Sequence, residues 1–278
     1  MLLLEAKSMK GYRCVAWGWN QFGQCDVPPG RFTQIAAGEE HSVAVREDGT
    51  VACWGWNNWG QCEPPDGVFT QVAAFYHCCA GLREDRTIAC WGFNCYGRCN
   101  PPEGLFKQVV GGSRHCLGLR EDGTIACWGD TSEWEIEVPR GVFIQVSASE
   151  FNGLGLREDG TIAFFGMNFG RKFDVPDGVF TQVSLGGGHC IALREDGTVA
   201  CWGDNKHGQC DAPDGVFTWV SAGSSHSLGL REDGTIASWG RNDCGYGKNA
   251  HVGHFDVPDG QFIKVDTRSD HSLGLVID

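Results

Sequence analysis

Apolar residues along this chain come in short runs broken by polar or small ones, and no run sustains a helical period. Phe32-Thr33-Gln34-Ile35-Ala36-Ala37, His41-Ser42-Val43-Ala44-Val45 and Thr50-Val51-Ala52-Cys53-Trp54 form one set of three predicted strands. Asp48-Gly49 separates the last two and predicts a hairpin, because Gly accepts the positive φ that tight turns need. Pro28, Pro29 and Gly30 interrupt the chain before the first run. Each set is therefore a small antiparallel sheet.

The set is repeated. Trp-Gly occurs at Trp17, Trp54, Trp91, Trp128, Trp202 and Trp239, with Phe165-Gly166 in the one gap, every step being 37 residues. A Phe recurs at 32, 69, 106, 143, 180, 217 and 262, and Arg-Glu-Asp-Gly-Thr at 46–50, 120–124, 157–161, 194–198 and 231–235, with Arg83-Glu84-Asp85-Arg86-Thr87 as a variant. The single irregularity is eight extra residues in the last unit, near 245–254. Seven equal sheets predict radial repetition, an all-β seven-bladed propeller. The ends agree with this. The last unit stops at Val276-Ile277-Asp278 without a third strand, and Arg13-Cys14-Val15-Ala16-Trp17 is a third strand without a unit. The N-terminal strand is expected to complete the C-terminal blade and close the ring. Residues 13–278 form one domain on this reading, and 1–12 a leader.

Charge and composition narrow the function. Lys and Arg total 22 against 35 Asp and Glu, a net charge of −13, which disfavours a phosphate backbone as partner. No apolar stretch approaches bilayer length, Met1-Leu2-Leu3-Leu4-Glu5 is too short for a signal peptide, and no Asn-X-Ser/Thr site is present. These point away from a membrane and toward an intracellular, monomeric chain, possessed of no cofactor and free to be one part of a longer protein.

Several recurrent residues read as packing. Ala44, Gly81, Gly118, Gly155, Ala192, Gly229 and Gly274 leave a gap in the middle strand, which the neighbouring Trp is expected to fill. His41, His115, His189, His226 and His271 stand at one position in five units, so they are expected to hold backbone groups of their own or the adjacent blade rather than to catalyse. Cys53/Cys62, Cys90/Cys99 and Cys201/Cys210 share one spacing, and both positions lose Cys together in Phe164/Phe173 and Ser238/Gly247. The two side chains should touch, either as buried thiols or as a disulfide. A zinc site is not expected from them, and His251-X-X-His254 with Cys244 is a weak metal pattern.

Trp17-Gly18-Trp19-Asn20-Gln21-Phe22-Gly23-Gln24 followed by Gly38-Glu39-Glu40-His41-Ser42 resembles the repeat of the regulator of chromosome condensation superfamily. The resemblance runs over residues 13–278 and implies a seven-bladed propeller closed by both termini. The 37-residue unit is similar to the compact blades of the type II β-lactamase inhibitory protein and of Crinkly-type receptor ectodomains, and Cys after Gly-Gln again resembles the latter. The resemblance implies a protein-binding face. It does not choose among nucleotide exchange on a small GTPase, scaffolding and inhibition.

Function is sought where the copies differ. The loops after the first three Trp-Gly pairs carry Trp19/Phe22, Trp56/Trp59 and Phe93/Tyr96, where later loops carry Asp130/Glu133, Met167/Gly170, Asp204/His207 and Arg241/Cys244. Six aromatic residues in three adjacent loops predict a binding face. A second variable pair precedes the repeat His and is expected to ring a mouth of the channel; it contributes Tyr76, His77, Arg114 and Phe151 as further candidates. The expected function is non-catalytic capture of a protein partner on these residues. The alternatives are a GTPase exchange factor using the insertion near 243–254 as a wedge, and a carbohydrate-binding propeller. No unit contains a unique nucleophile and base, so no enzyme is expected.

Overall fold

The computed structural model describes residues 10–130, 136–167, 174–242 and 253–278. Within them, strands fall into seven three-stranded antiparallel sheets. Blade 1 is Phe32–Ala37, His41–Arg46 and Val51–Gly55, and each later blade repeats it. The final blade joins Gln261–Arg268 and His271–Ile277 to Arg13–Gly18, with Arg13 opposite Val276 and Gly18 opposite His271. This is a closed seven-bladed propeller, and its ring is sealed by the first strand. No helix among the described residues is long and apolar enough to cross a membrane.

Counting from this closure shifts the numbering of the loops. Trp17 belongs to blade 7 and Trp54 to blade 1, so the three aromatic loops join blades 7 to 1, 1 to 2 and 2 to 3. Residues 1–9 of the leader lie outside the described residues. Tyr12 bridges to Phe32, and the Gly11 amide donates to the Glu47 carboxylate at 2.8 Å, so the leader's end lies along blade 1.

The core lies between blades. One apolar cluster unites Val43 and Val45 of blade 1 with Phe69, Val72 and Trp91 of blade 2, and comparable clusters fill the other six junctions. The small middle-strand residue explains this packing, with one correction to the sequence reading. A Cβ on Gly81 would lie 2.5 Å from the Phe69 ring and 3.3 Å from Trp91, so the blade's own Phe is the closer occupant of the gap. A bulge after that Phe accompanies this fit in every blade, shifting the register between Phe32 and Gln34 and their equivalents. The Arg of the hairpin turn lies over the same ring, from Arg46 over Phe32 at 5.4 Å to Arg231 over Phe217 at 5.2 Å.

The repeat Trp adds a tether. The Trp54 indole N–H donates to the Gln24 carbonyl at 2.8 Å, and Trp91, Trp128 and Trp239 do the same to Gln61, Arg98 and Gln209. Each indole thereby fixes the loop arriving from the preceding blade. The repeat His acts between blades as expected: His41 bonds to the Cys78 backbone and His115 to the backbone of Glu150 and Asn152, and Nε2 adds side-chain partners. His41 meets the Cys79 thiol at 3.1 Å, His189 the Ser227 hydroxyl at 2.8 Å, His226 the Thr267 hydroxyl at 2.7 Å and His271 the Ser42 hydroxyl at 2.8 Å. The residue after the next blade's His supplies the partner in most of these contacts. Gly153 stands there opposite His115 and has no hydroxyl to offer.

A candidate partner-binding face

The first three Trp-Gly loops share one construction. The Asn20 side chain accepts the Cys25 amide at 2.7 Å and donates to Asp26 at 2.8 Å, and the Gln24 side chain accepts the Phe22 amide at 2.9 Å. Asn57 and Gln61 repeat these bonds around Trp59, and Asn94 accepts the Cys99 amide at 2.9 Å. The amides of the loop are thus satisfied internally. Its apolar side chains are left to project.

Those side chains form a belt. Trp19 meets Phe22 edge-on at 5.4 Å between ring centroids, and Phe22 reaches Trp56 at 6.1 Å. Trp56 meets His77 at 4.5 Å, His77 reaches Phe93 at 6.5 Å, and Phe93 lies 4.4 Å from Trp59. Tyr76 packs on His77 at 3.9 Å. Beyond them the Arg114 guanidinium lies over Tyr96 at 5.2 Å and over Phe151 at 5.6 Å. The ten candidate residues thus fall into a chain of rings from Trp19 to Tyr76 and a cluster of Tyr96, Arg114 and Phe151, which share one pocket with Tyr76 and Phe93. Phe22, Tyr76, Trp59 and Tyr96 are 38, 39, 48 and 53% exposed, so these rings are not sealed between blades. Burial and the Arg98 charge push the His77 imidazole down to about 4, leaving it neutral and able to pack as a ring.

The pair before each His divides its labour. The first members, including Glu39, Tyr76, Ser113 and Glu150, line the mouth of the central channel, whereas His77, Arg114 and Phe151 turn toward the belt. The channel encloses a cavity of about 290 Å³. Sequence reasoning overlooked its walls. The Gln71 side chain donates to the Val109 carbonyl and accepts the Val109 amide, both at 3.1 Å, and Gln108, Gln145 and Gln182 make the same double bond to the next blade. Trp219 and Lys264 replace Gln at the last two positions, with the Lys264 ammonium 5.6 Å over the Trp219 ring. Asp266 accepts the Ala37 amide at 2.8 Å, a task given to Ser147, Ser184 and Ser221 in preceding blades. Burial raises the Asp266 carboxyl and lowers the Lys264 ammonium, and it lifts Glu39 to about 7 against the pull of Arg268. A 37-residue alignment carries the signal, since Lys264, Asp266 and Arg268 stand where other units have Gln, small residues and mostly Gly.

The cysteine pairs are in contact in two of three cases. Cys53 and Cys62 are 3.1 Å apart at sulfur, Cys201 and Cys210 2.6 Å, and all are unbridged thiols. The third pair differs. Cys99 bonds to the thiol of Cys78, which occupies the repeat His position, and this contact holds the Cys99 thiol below the usual range. Cys90 remains a neighbour of Cys99, its own thiol raised chiefly by burial. Among the described residues no group of three or more His, Cys, Asp or Glu is placed to hold a metal ion. Of the weak metal pattern, Cys244 and His251 lie outside the described residues, as does most of the insertion. His254 is buried and stacks on His226 at 4.2 Å, its carbonyl accepting the Trp17 indole at 3.1 Å.

With seven blades, their closure and the tethering Trp in place, the chain can be compared with known proteins. Residues 32–61, 106–133, 180–209 and 220–245 match the model of the regulator of chromosome condensation (RCC1) repeat. Four stretches of the chain thus match that repeat, and the whole has the seven-bladed propeller fold. Human WBSCR16 is similar in structure, with a TM-score of 0.75 at 16% identity, covering 96% of this chain and 99% of that one. Prp20p of Saccharomyces cerevisiae, described with its binding to Gsp1p and histones, gives 0.77 at 17%, covering 98% and 93%. The CRINKLY ectodomain of the Arabidopsis thaliana receptor kinase ACR4 gives 0.70 at 20%, covering 88% and 90%. At such identities these RCC1-type propellers share a fold with the chain. No curated protein matches it in sequence.

Proposed function

We propose that this RCC1-repeat propeller is a non-catalytic interaction domain that captures a protein partner on the aromatic belt. The observation that carries the reading is the belt itself, a run of adjoining rings over three blade junctions with Trp59 and Tyr96 about half exposed. Exposed rings in a contiguous patch supply large contact area at small entropic cost, and they lose water when a partner covers them. The internally bonded loops hold the rings in place before binding, which lowers the ordering cost of association. Protein recognition by Prp20p, an RCC1 propeller that binds Gsp1p and histones, supports the same reading.

Affinity capture from cells with the wild-type protein and with a Trp56→Ala/Trp59→Ala variant tests it. The loop backbone is held by the Asn57 and Gln61 side chains rather than by the two rings, so the variant should keep the wild-type circular dichroism. It should lose its specific partner by at least tenfold in affinity, as expected of roughly 2 kcal/mol hot-spot residues. A partner retained at full affinity by the folded variant rules the belt out.

A further inference from the structure

We infer that the pocket at the blade 3 end of the belt is a binding site for a monocarboxylate carried on an apolar body. The pocket encloses about 370 Å³ and is walled by Tyr76, Phe93, Tyr96 and Phe151, with Arg98 and Arg114 among its lining. On a chain of net charge −13, two guanidiniums converging in one aromatic slot are a local exception.

Arg98 departs from the repeat at some structural cost. Its equivalents Gln24, Gln61 and Gln209 each accept an amide of their own loop, which a guanidinium cannot do. It is 2% exposed and donates only to backbone carbonyls, those of Cys95 at 3.2 Å, Phe93 at 3.4 Å and Ser113. Its planar head lies 5.8 Å from the Tyr76 ring centre and 5.9 Å from that of Phe93. Among the described residues it meets no carboxylate. A buried cation without a counter-ion is costly, and an arriving anion removes that cost. Arg114, by contrast, already has Asp130 at 3.6 Å. One uncompensated charge in an apolar enclosure fits a monoanion, whereas a phosphate dianion needs more donors than the slot offers.

Backbone strain marks the same place. Among the described residues four non-glycine residues have positive φ, and three of them surround this pocket: Tyr76 at 38°, Tyr96 at 63° and Glu150, next to Phe151, at 43°. Such conformations persist where the surroundings impose them, and they concentrate at ligand clamps. The carboxylate would sit toward Arg98 with its apolar body between the rings. Its source is either a free acid or the C-terminal residue of a protein docked on the belt; only the second rests on the interaction reading above.

Titration calorimetry with N-acetyl-L-phenylalanine, its carboxamide and phenylacetate tests the site. Both carboxylates, or the N-acetylated one alone, should bind saturably, with the carboxamide at least tenfold weaker. Equal binding of both acids identifies a free acid as the ligand class, and preference for N-acetyl-L-phenylalanine identifies a chain terminus. Arg98→Gln restores the residue that folds in the sister loops, and it should remove the acid-over-amide preference while circular dichroism stays unchanged. Equal binding of acid and amide, acid binding unaltered in Arg98→Gln, or no saturable binding of either acid overturns the assignment. The Trp56→Ala/Trp59→Ala variant should still bind the probes, so loss of the belt reading and loss of the pocket are separate results.

Discussion

At the scale of single residues, the buried histidines set how this protein responds to acid. Burial lowers His41 and His271 to about 3, His115 and His189 to about 4, and His226 well below its ordinary 6.5. The unfolded chain binds protons at these sites from pH 6.5 downward, and the folded chain does so only near 3 to 4. Stability is therefore complete above pH 6.5 and falls as the pH drops through the interval below it. Each such His costs about 2 kcal/mol by pH 5. The raised carboxyls of Glu39, Glu40 and Asp266 act in the opposite direction, since each favours the folded form as the pH falls, but the lowered histidines outnumber them. Urea unfolding at pH 7.5 and pH 5.0 should show a marked loss of midpoint, and His189→Gln should lessen the pH dependence. An unchanged slope in that variant would mean that His189 already titrates normally in the fold.

At the scale of elements, the inner strands are joined by side chains rather than by a shared sheet. Gln108 reaches from blade 3 to both backbone groups of Val146 in blade 4, at 2.9 and 2.8 Å. Gln108→Leu keeps the volume and removes both partners, leaving an amide and a carbonyl facing the channel. Denaturant unfolding should show a loss of about 1–3 kcal/mol per unpaired group at most, with the fold retained. A stability equal to wild type would mean that channel water replaces the Gln without loss. The sequence made the blades and the ring closure legible, because Phe32, Trp54 and Asp48-Gly49 recur at a fixed interval and each has one local meaning. It also pointed to the aromatic loops, since Trp19, Trp56 and Phe93 break an otherwise strict pattern. The Gln ladder was missed because a Gln on a strand has no local signature; its partner lies 38 residues away in the next blade. The Cys78–Cys99 contact escaped for a related reason: the 37-residue register does put Cys78 at the His position, but spacing paired Cys99 with Cys90 and could not show that the two loops bring Cys78 and Cys99 together.

At the scale of the whole molecule, the ring makes each blade depend on both neighbours, and blade 7 depends on both ends of the chain. Removing residues 10–18 would expose the open edge of His271–Ile277 and uncover Phe262, which meets Trp17 at 5.9 Å. Loss of a buried Trp alone costs about 3–5 kcal/mol, a large part of the 5–15 kcal/mol that typically separates folded from unfolded domains. The truncated chain should melt far below the intact one or fail to fold. That result alone would not separate closure from mere loss of contacts. A circular permutant does. Arg31 donates to the Gly11 carbonyl at 3.1 Å and pairs with Asp278, so a short linker can join Asp278 to Gly11 in a permutant that omits residues 1–10. New ends at the Asp122-Gly123 turn then fall between the middle and outer strands of blade 3, which transfers the split from blade 7 to another blade. All inter-blade contacts survive in this permutant. If closure is what matters, its melting temperature should lie near that of the original chain and far above that of the truncation. A permutant as unstable as the truncation would mean that the first strand acts through its own place in the chain and not by sealing the ring.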